Sequence, residues 1–311
     1  MRTTKTALFP LLCMLPLSFA VAASTPQLGV AMSAFDDNFL TVLRGAITNQ
    51  AKASGARVQM EDGKNEIGTQ LNQIQNFTAS GLQAIIVNAV DSDAVQSISD
   101  DAEAAGIPLV YVNREPININ KLPANQAFVG SSETEGGTLQ AQEVCRQLQG
   151  KGNVLIMMGD LAQQSAVQRT AAVVATFARP ECRGIKVIDK QIGKWTRTGG
   201  NNLMTNWLST NLQFDAVVAN NDEMALGAIQ ALKASGRDMK TVVVAGIDAT
   251  VDALAAMKAG DLDVTVFQDA EAQGKEAVNT ALKLAKGEKV ANRVLIPYQL
   301  VTSANMAQFA H

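Results

Sequence analysis

From Leu28 onward the chain repeats one pattern: a short apolar run, a polar loop, then a helix-length segment with its apolar positions on one side. Residues 28–31, 57–60, 84–88 and 109–113 read as strands, because short runs dense in Val, Ile and Leu mark strands covered on both faces. Residues 38–54, 66–79 and 93–105 read as helices. Ile67, Leu71, Ile74 and Thr78 fall at helical spacing, and Gly55, Gly81 and Gly106 stand where each helix should stop. Strand and helix in strict alternation demand a parallel sheet with helices on both faces.

The alternation breaks over residues 115–126, a stretch rich in Pro, Asn and Ile with no clear period, and then resumes. Strands are expected at 153–158, 185–188, 216–218, 242–247, 264–267 and 294–301. Helices are expected at 133–149, 165–178, 198–210, 223–235, 251–259 and 271–286. The predicted fold is α/β, with two doubly wound parallel-sheet lobes joined near residues 115–130. Ligands of such sheets sit at the carboxyl ends of the strands, so the residues just past each strand carry the functional information.

Those positions hold a polar set with few aromatics. Ser33, Asp36, Asp37 and Phe39 follow the first strand, and Asn113 and Arg114 follow the fourth. In the second half, Arg169 stands early in a helix and Trp195, Asn221, Asp222, Asp248 and Gln268 follow strands. Singly, each has a plain structural role: Asp36, Asp37, Asp222 and Asp248 as helix caps, Arg114 as a solvated hinge residue, Trp195 as core. Together they suit a neutral polyhydroxylated ring. A guanidinium fork engages two adjacent hydroxyl oxygens, a carboxylate accepts from two, and a carboxamide offers one donor and one acceptor. Aromatic faces at Phe39 and Trp195 would cover the C–H surface of the ring.

Composition narrows the alternatives. Among 311 residues, 26 Lys and Arg face 29 Asp and Glu, a net charge of −3, so there is no basic excess for nucleic acid. The lone histidine is His311, the last residue, which removes histidine bases, triads and zinc sets from consideration. No Gly-x-Gly-x-x-Gly or Walker loop follows a strand, and the stretch from Ser131 to Gly137 reads as a capped helix start. No metal site, catalytic residue or cofactor is expected. Arg2, Lys5, the apolar run 7–22 and the small residues to Ala23 read as a signal peptide cleaved near Ala22 or Ala23; that run is shorter than the roughly 20 residues a spanning helix needs. Leu12 before Cys13 does not suit a lipid anchor. Export leaves Cys145 and Cys182, which pair as a disulfide or stay as two buried thiols.

With these residues in place, the chain from about Gln27 to Val301 resembles the periplasmic sugar-binding proteins of ABC importers, of the ribose-binding type. The run from Asn220 to Ala228 carries the resemblance most strongly, supported by Val243 to Asp248 and Val90 to Val95. The resemblance implies a type I periplasmic binding protein with a three-crossover hinge near 126–129, 267–269 and 297–299. It implies a signal peptide over 1–23, an N-terminal lobe of 24–128 plus 268–297, and a C-terminal lobe of 129–267 plus 298–311. The implied ligand contacts are Asp37, Phe39, Asn113, Arg114, Arg169, Trp195, Asn221, Asp248 and Gln268, with Ser33 and Asp36 as weaker candidates. Asp36-Asp37-Asn38-Phe39-Leu40 departs from the ribose pattern, and with the run Val112 to Pro116 it looks like the inositol- and rhizopine-binding members. The resemblance therefore implies myo-inositol or a related cyclitol as ligand, an inner-membrane permease as partner and a periplasmic monomer. The alternatives are a ribose or other monosaccharide receptor, a sensor presenting its ligand to a chemoreceptor, and a secreted carbohydrate-active enzyme using Asp36 and Asp37.

Overall fold

A computed structural model describes residues 25–309; the expected signal peptide, Cys13 and His311 lie outside them. The first sheet has six strands, all parallel: β1 (Gln27–Met32), β2 (Arg57–Asp62), β3 (Ala84–Val87), β4 (Leu109–Asn113), β5 (Gln126–Gly130) and β11 (Arg293–Leu295), in the order β11-β5-β4-β3-β1-β2. The helices between them are α1 (Asn38–Ala53), α2 (Ile67–Ala79) and α3 (Val95–Ala104). Period-two alternation decides which core each strand residue joins. Leu28, Val30 and Met32 pack with Leu40, Leu43 and Ile47 of α1, whereas Ala31 joins Ile74 and Phe77 of α2 on the other face. Burial on both sides is what makes β3 apolar throughout and β4 and β5 apolar except for Asn113 and Gln126 at their ends. Gly55, Gly81 and Gly106 take φ of 72°, 67° and 67° just past α1, α2 and α3, the left-handed turn that stops a helix.

The second sheet repeats the plan with β6 (Lys151–Met158), β7 (Gly184–Ile192), β8 (Ala216–Ala219), β9 (Val243–Ala245), β10 (Val264–Phe267) and β12 (Gln299–Thr302), in the order β12-β10-β9-β8-β6-β7. Here β12 is antiparallel to β10 and the other pairs are parallel. It carries α4 (Glu133–Gln147), α5 (Gln164–Phe177), α6 (Arg197–Ser209), α7 (Asp222–Ala234) and α8 (Val251–Ala259), while α9 (Ala270–Ala285) returns to pack on α1 of the first lobe.

Two expectations need correction. The stretch 115–126, read as patternless, holds a short 3-10 turn at Ile119–Lys121 and leads into β5, a full strand of the first sheet. Its Gln126-Ala127-Phe128-Val129-Gly130 run is too short to stand out beside the Pro- and Asn-rich segment before it. Residues 294–301, read as one strand, form two strands in different sheets, β11 and β12. Pro297 stands between them, and with no N–H to donate it cannot continue a ladder. The chain thus passes between the sheets after β5, after β10 and after β11. Among the described residues no helix is long and apolar enough to cross a membrane.

Cys145 on α4 and Cys182 in the turn before β7 are joined as a disulfide, with Cα atoms 5.7 Å apart and a separation of 37 in sequence. Closing a loop of that length restricts the unfolded chain, so replacing both cysteines by alanine should cost about 2–4 kcal/mol. Denaturant titration of the double variant checks this; an unchanged midpoint would show that the bridge adds nothing to α4–β7 packing.

Candidate ligand-binding site

A small cavity, of about 40 Å³, lies between the lobes at the strand ends. All nine principal candidates line it: Asp37, Phe39, Asn113, Arg114, Arg169, Trp195, Asn221, Asp248 and Gln268. Leu40, part of the loop that departs from the ribose pattern, lines it as well, and so does Ser165, which was not anticipated. The two weaker candidates do not. Ser33 is fully buried at the end of β1 and donates to Asn88 Oδ1 at 2.6 Å. Asp36 is exposed, because the loop turns its neighbour inward. Asp36 and Asp37 therefore do not face a common point, which removes the geometry a paired-carboxylate enzyme would need.

Backbone shape aims several of these groups. Asp37 caps α1, accepting from Leu40 N at 2.8 Å through Oδ1. Asn221, not Asp222, caps α7, accepting from Met224 N at 3.1 Å, while its Nδ2 donates to the Trp195 carbonyl at 3.0 Å. Thr250, not Asp248, caps α8. Asn113, Trp195 and Asp248 all have positive φ, at 66°, 66° and 126°. Such conformations cost about 1–3 kcal/mol each in residues with a side chain and gather at functional sites. Asn113 is held there by bonds from Asn88 Nδ2 to its Oδ1 at 3.2 Å and from its own Nδ2 to Gln273 Oε1 at 3.3 Å.

The four charged groups are not equivalent. Arg169 has its fork engaged within the protein: Nε donates to Glu133, Nη1 to the Asn220 carbonyl at 2.7 Å, and Nη2 to Gln268 Oε1 at 3.2 Å and Tyr298 Oη at 2.9 Å. Tyr298 Oη in turn donates to Glu133 at 2.9 Å. Burial works against the Arg169 charge, but Glu133, Tyr298 and Asp248 together more than offset it and raise the guanidinium above its ordinary range. Arg169 therefore fixes the floor of the cavity more than it reaches for a ligand. Arg114 is freer, donating through Nη1 to the Ala89 carbonyl at 2.7 Å. Burial pushes its pKa down to about 10, against the opposing pull of Asp37 and Asp160. Burial also raises Asp37. Asp248 is lifted well above the usual carboxylate range by burial and then by the charge of Asp222 behind it. Asp222 is itself fully buried, accepting from Thr250 N at 2.8 Å and Thr265 Oγ1 at 2.7 Å.

Glu133, Tyr298 and Gln163 support the site as well; the first two follow β5 and β11, strands the sequence pattern does not delimit. Glu133 looked only like a helix-start residue, and its helix is indeed capped by Ser132. No group of three or more His, Cys, Asp or Glu among the described residues is placed to hold a metal ion.

The model of the periplasmic binding protein domain matches residues 28–289, nearly the whole described chain. The chain belongs to the periplasmic binding protein family. Among related proteins, one from Rhizobium meliloti, whose rhizopine-binding role is a provisional assignment, is 54% identical over 291 residues, covering 93% of this chain and 94% of that protein. The ribose import binding protein of Bacillus subtilis is 30% identical over 275 residues, covering 88% and 87% of the two chains. Among solved structures, an ABC transporter solute-binding protein from Bacillus halodurans with bound myo-inositol superposes with a TM-score of 0.87 at 39% identity, over 93% of this chain and 99% of that one. A periplasmic binding protein of two doubly wound lobes is thus shown by sequence and by fold.

Proposed function

We propose that this chain is the periplasmic receptor of an ABC importer and captures myo-inositol or a closely related cyclitol between its lobes. The observation that carries the reading is the cavity itself, walled from both lobes by carboxylates, carboxamides, two guanidiniums and two aromatic residues. A cyclitol bears a hydroxyl at every ring carbon, so it needs partners in all directions. Asp37, Asn113 and Arg114 from the first lobe and Asn221, Asp248 and Gln268 near or in the second supply them, and Phe39 and Trp195 cover the ring faces. Leu40 stands in the cavity wall, where a second aromatic would narrow it. A buried hydroxyl without a partner costs about 1–3 kcal/mol, so this shell discriminates stereoisomers. The relative named for rhizopine and the neighbour holding myo-inositol support the same ligand class.

Ligand bridging both lobes stabilises the closed form by its difference in affinity for closed and open states. The closed receptor then delivers its cargo, as a monomer, to an inner-membrane permease; presentation to a chemoreceptor would use the same closed form. The exported state rests on the signal peptide read at residues 1–23.

A second reading, an amino-cyclitol, is favoured by the charge pattern: two cavity carboxylates face one guanidinium whose charge is not already matched, since Glu133 pairs with Arg169. The two are separated by pH. An ammonium ligand favours ionised Asp248, whose proton burial holds above the ordinary carboxylate range, so affinity for an amino-inositol should climb steeply as pH rises above that range. Affinity for myo-inositol should rise less over the same span, since a neutral ring gains a hydrogen-bond acceptor but no ion pair. Calorimetry with both compounds at each pH decides, and a flat profile with tight binding of the neutral ring excludes the amine. Failure of either compound to raise the melting temperature, with a clear rise on adding ribose, would overturn the cyclitol reading.

A further inference from the structure

We infer that Gln163 couples the seating of Trp195 to closure of the lobes, acting as a positioning residue that never touches the ligand. The inference rests on the capture reading above. Gln163 does not line the cavity; it is 4% exposed and precedes α5, where a residue would ordinarily cap the helix, yet its side chain makes no capping bond. Its carboxamide is used elsewhere. Oε1 accepts from the Trp195 indole Nε1 at 2.6 Å, and Nε2 donates to the Val90 carbonyl of the opposite lobe at 3.2 Å.

That orientation has no alternative. An indole N–H only donates and a backbone carbonyl only accepts, so turning the amide over would leave both bonds unmade. Both partners are themselves held. Val90 N donates to Gln70 Oε1 at 2.9 Å, and Trp195 is tied through its carbonyl to Asn221 at 3.0 Å. The indole also rests against Gly159, where a Cβ would overlap the ring, so the loop from β6 to α5 is shaped to receive it.

Other bonds cross between the lobes beside this one. Ser92 N donates to the Ala162 carbonyl at 2.8 Å and Gln164 N to Ser92 Oγ at 3.2 Å. Of these three crossings, only that of Gln163 runs directly to the Trp195 wall of the cavity. When the lobes part, Nε2 loses Val90; when Trp195 is displaced, Oε1 loses its donor. Each event therefore weakens the other, and ring contact on Trp195 is transmitted to the closed state.

Two substitutions separate the halves of this link, Gln163→Glu and Gln163→Leu. In Gln163→Glu one oxygen still accepts from Trp195 and the other faces the Val90 carbonyl, breaking closure alone. Gln163→Leu removes both bonds. Nitroxide labels on cysteines introduced at exposed Lys121 and Lys186, one per lobe, report the closed fraction by electron–electron distance, in the free protein and during titration with myo-inositol. Both variants should lower the closed fraction several-fold and weaken myo-inositol binding about tenfold or more, mainly through faster release. The preference for myo-inositol over ribose should stay unchanged. Trp195 fluorescence should shift in Gln163→Leu and not in Gln163→Glu. A closed fraction and affinity within twofold of the parent in both variants would overturn the coupling. If the parent does not bind myo-inositol, the ligand reading fails, and the closed fraction of the free protein still decides the role of Gln163.

Discussion

Glu133→Ala should destabilise the ligand-free protein by about 3–5 kcal/mol, the cost of stranding one partner of a buried ion pair. The side chains of Arg169 and Glu133 are 4% and 1% exposed, so no water can replace the lost carboxylate. Tyr298 loses its acceptor in the same change. The site fails with the scaffold, because Gln268 is positioned by Arg169 Nη2. Glu133→Gln keeps an acceptor for Arg169 and should cost less. Urea titration of both variants is the check; a loss below about 1 kcal/mol in Glu133→Ala would mean that the guanidinium finds another partner and that this pair does not hold the cavity floor.

Asp248→Asn should do the reverse, strengthening the fold while removing function. A carboxyl whose pKa is raised by folding binds protons more tightly in the native state than in the unfolded chain. Stability then falls as pH rises, from the ordinary carboxylate range near about 4 up through the elevated native value. Asp248 is lifted by burial and by Asp222, so its cost is absent at pH 4 and present at neutral pH or above. An uncharged amide in its place carries no such cost. The variant should be more stable by about 1–2 kcal/mol at pH 7.5, a rise of several degrees in melting temperature, and nearly unchanged at pH 4. Cyclitol binding should weaken by about 2–3 kcal/mol, since the amide NH2 puts a donor where the second carboxylate oxygen accepts from a ring hydroxyl. Melting curves at the two pH values and one titration test both halves. A variant that binds as well as the parent would remove Asp248 from the site.

The readable part of this molecule was what parallel α/β architecture places by rule. Strand ends have a fixed relation to the ligand crevice, so Asn113, Arg114, Asn221, Asp248 and Gln268 could be picked out by position, and all line the same cavity. Helix stops at Gly55, Gly81 and Gly106 were legible because only a left-handed residue fits there. What escaped was set by tertiary context. Ser33 and Asp37 sit on one short loop, and nothing local says that the first turns into the core while the second faces the cavity. Glu133 and Tyr298 are separated by most of the C-terminal lobe and meet only because the chain crosses back after β11. The same crossing split residues 294–301 between two sheets, which an apolar run cannot reveal. Gln163 looked like any polar helix-start residue until its two bonds reached into both lobes.

Calorimetric titration of the exported chain with myo-inositol and, in parallel, with ribose tests the central claim most directly. One site per chain is expected, with myo-inositol bound at least about tenfold more tightly, a difference of about 1.4 kcal/mol. Tighter binding of ribose, or no heat with myo-inositol, would contradict a cavity built for a cyclitol.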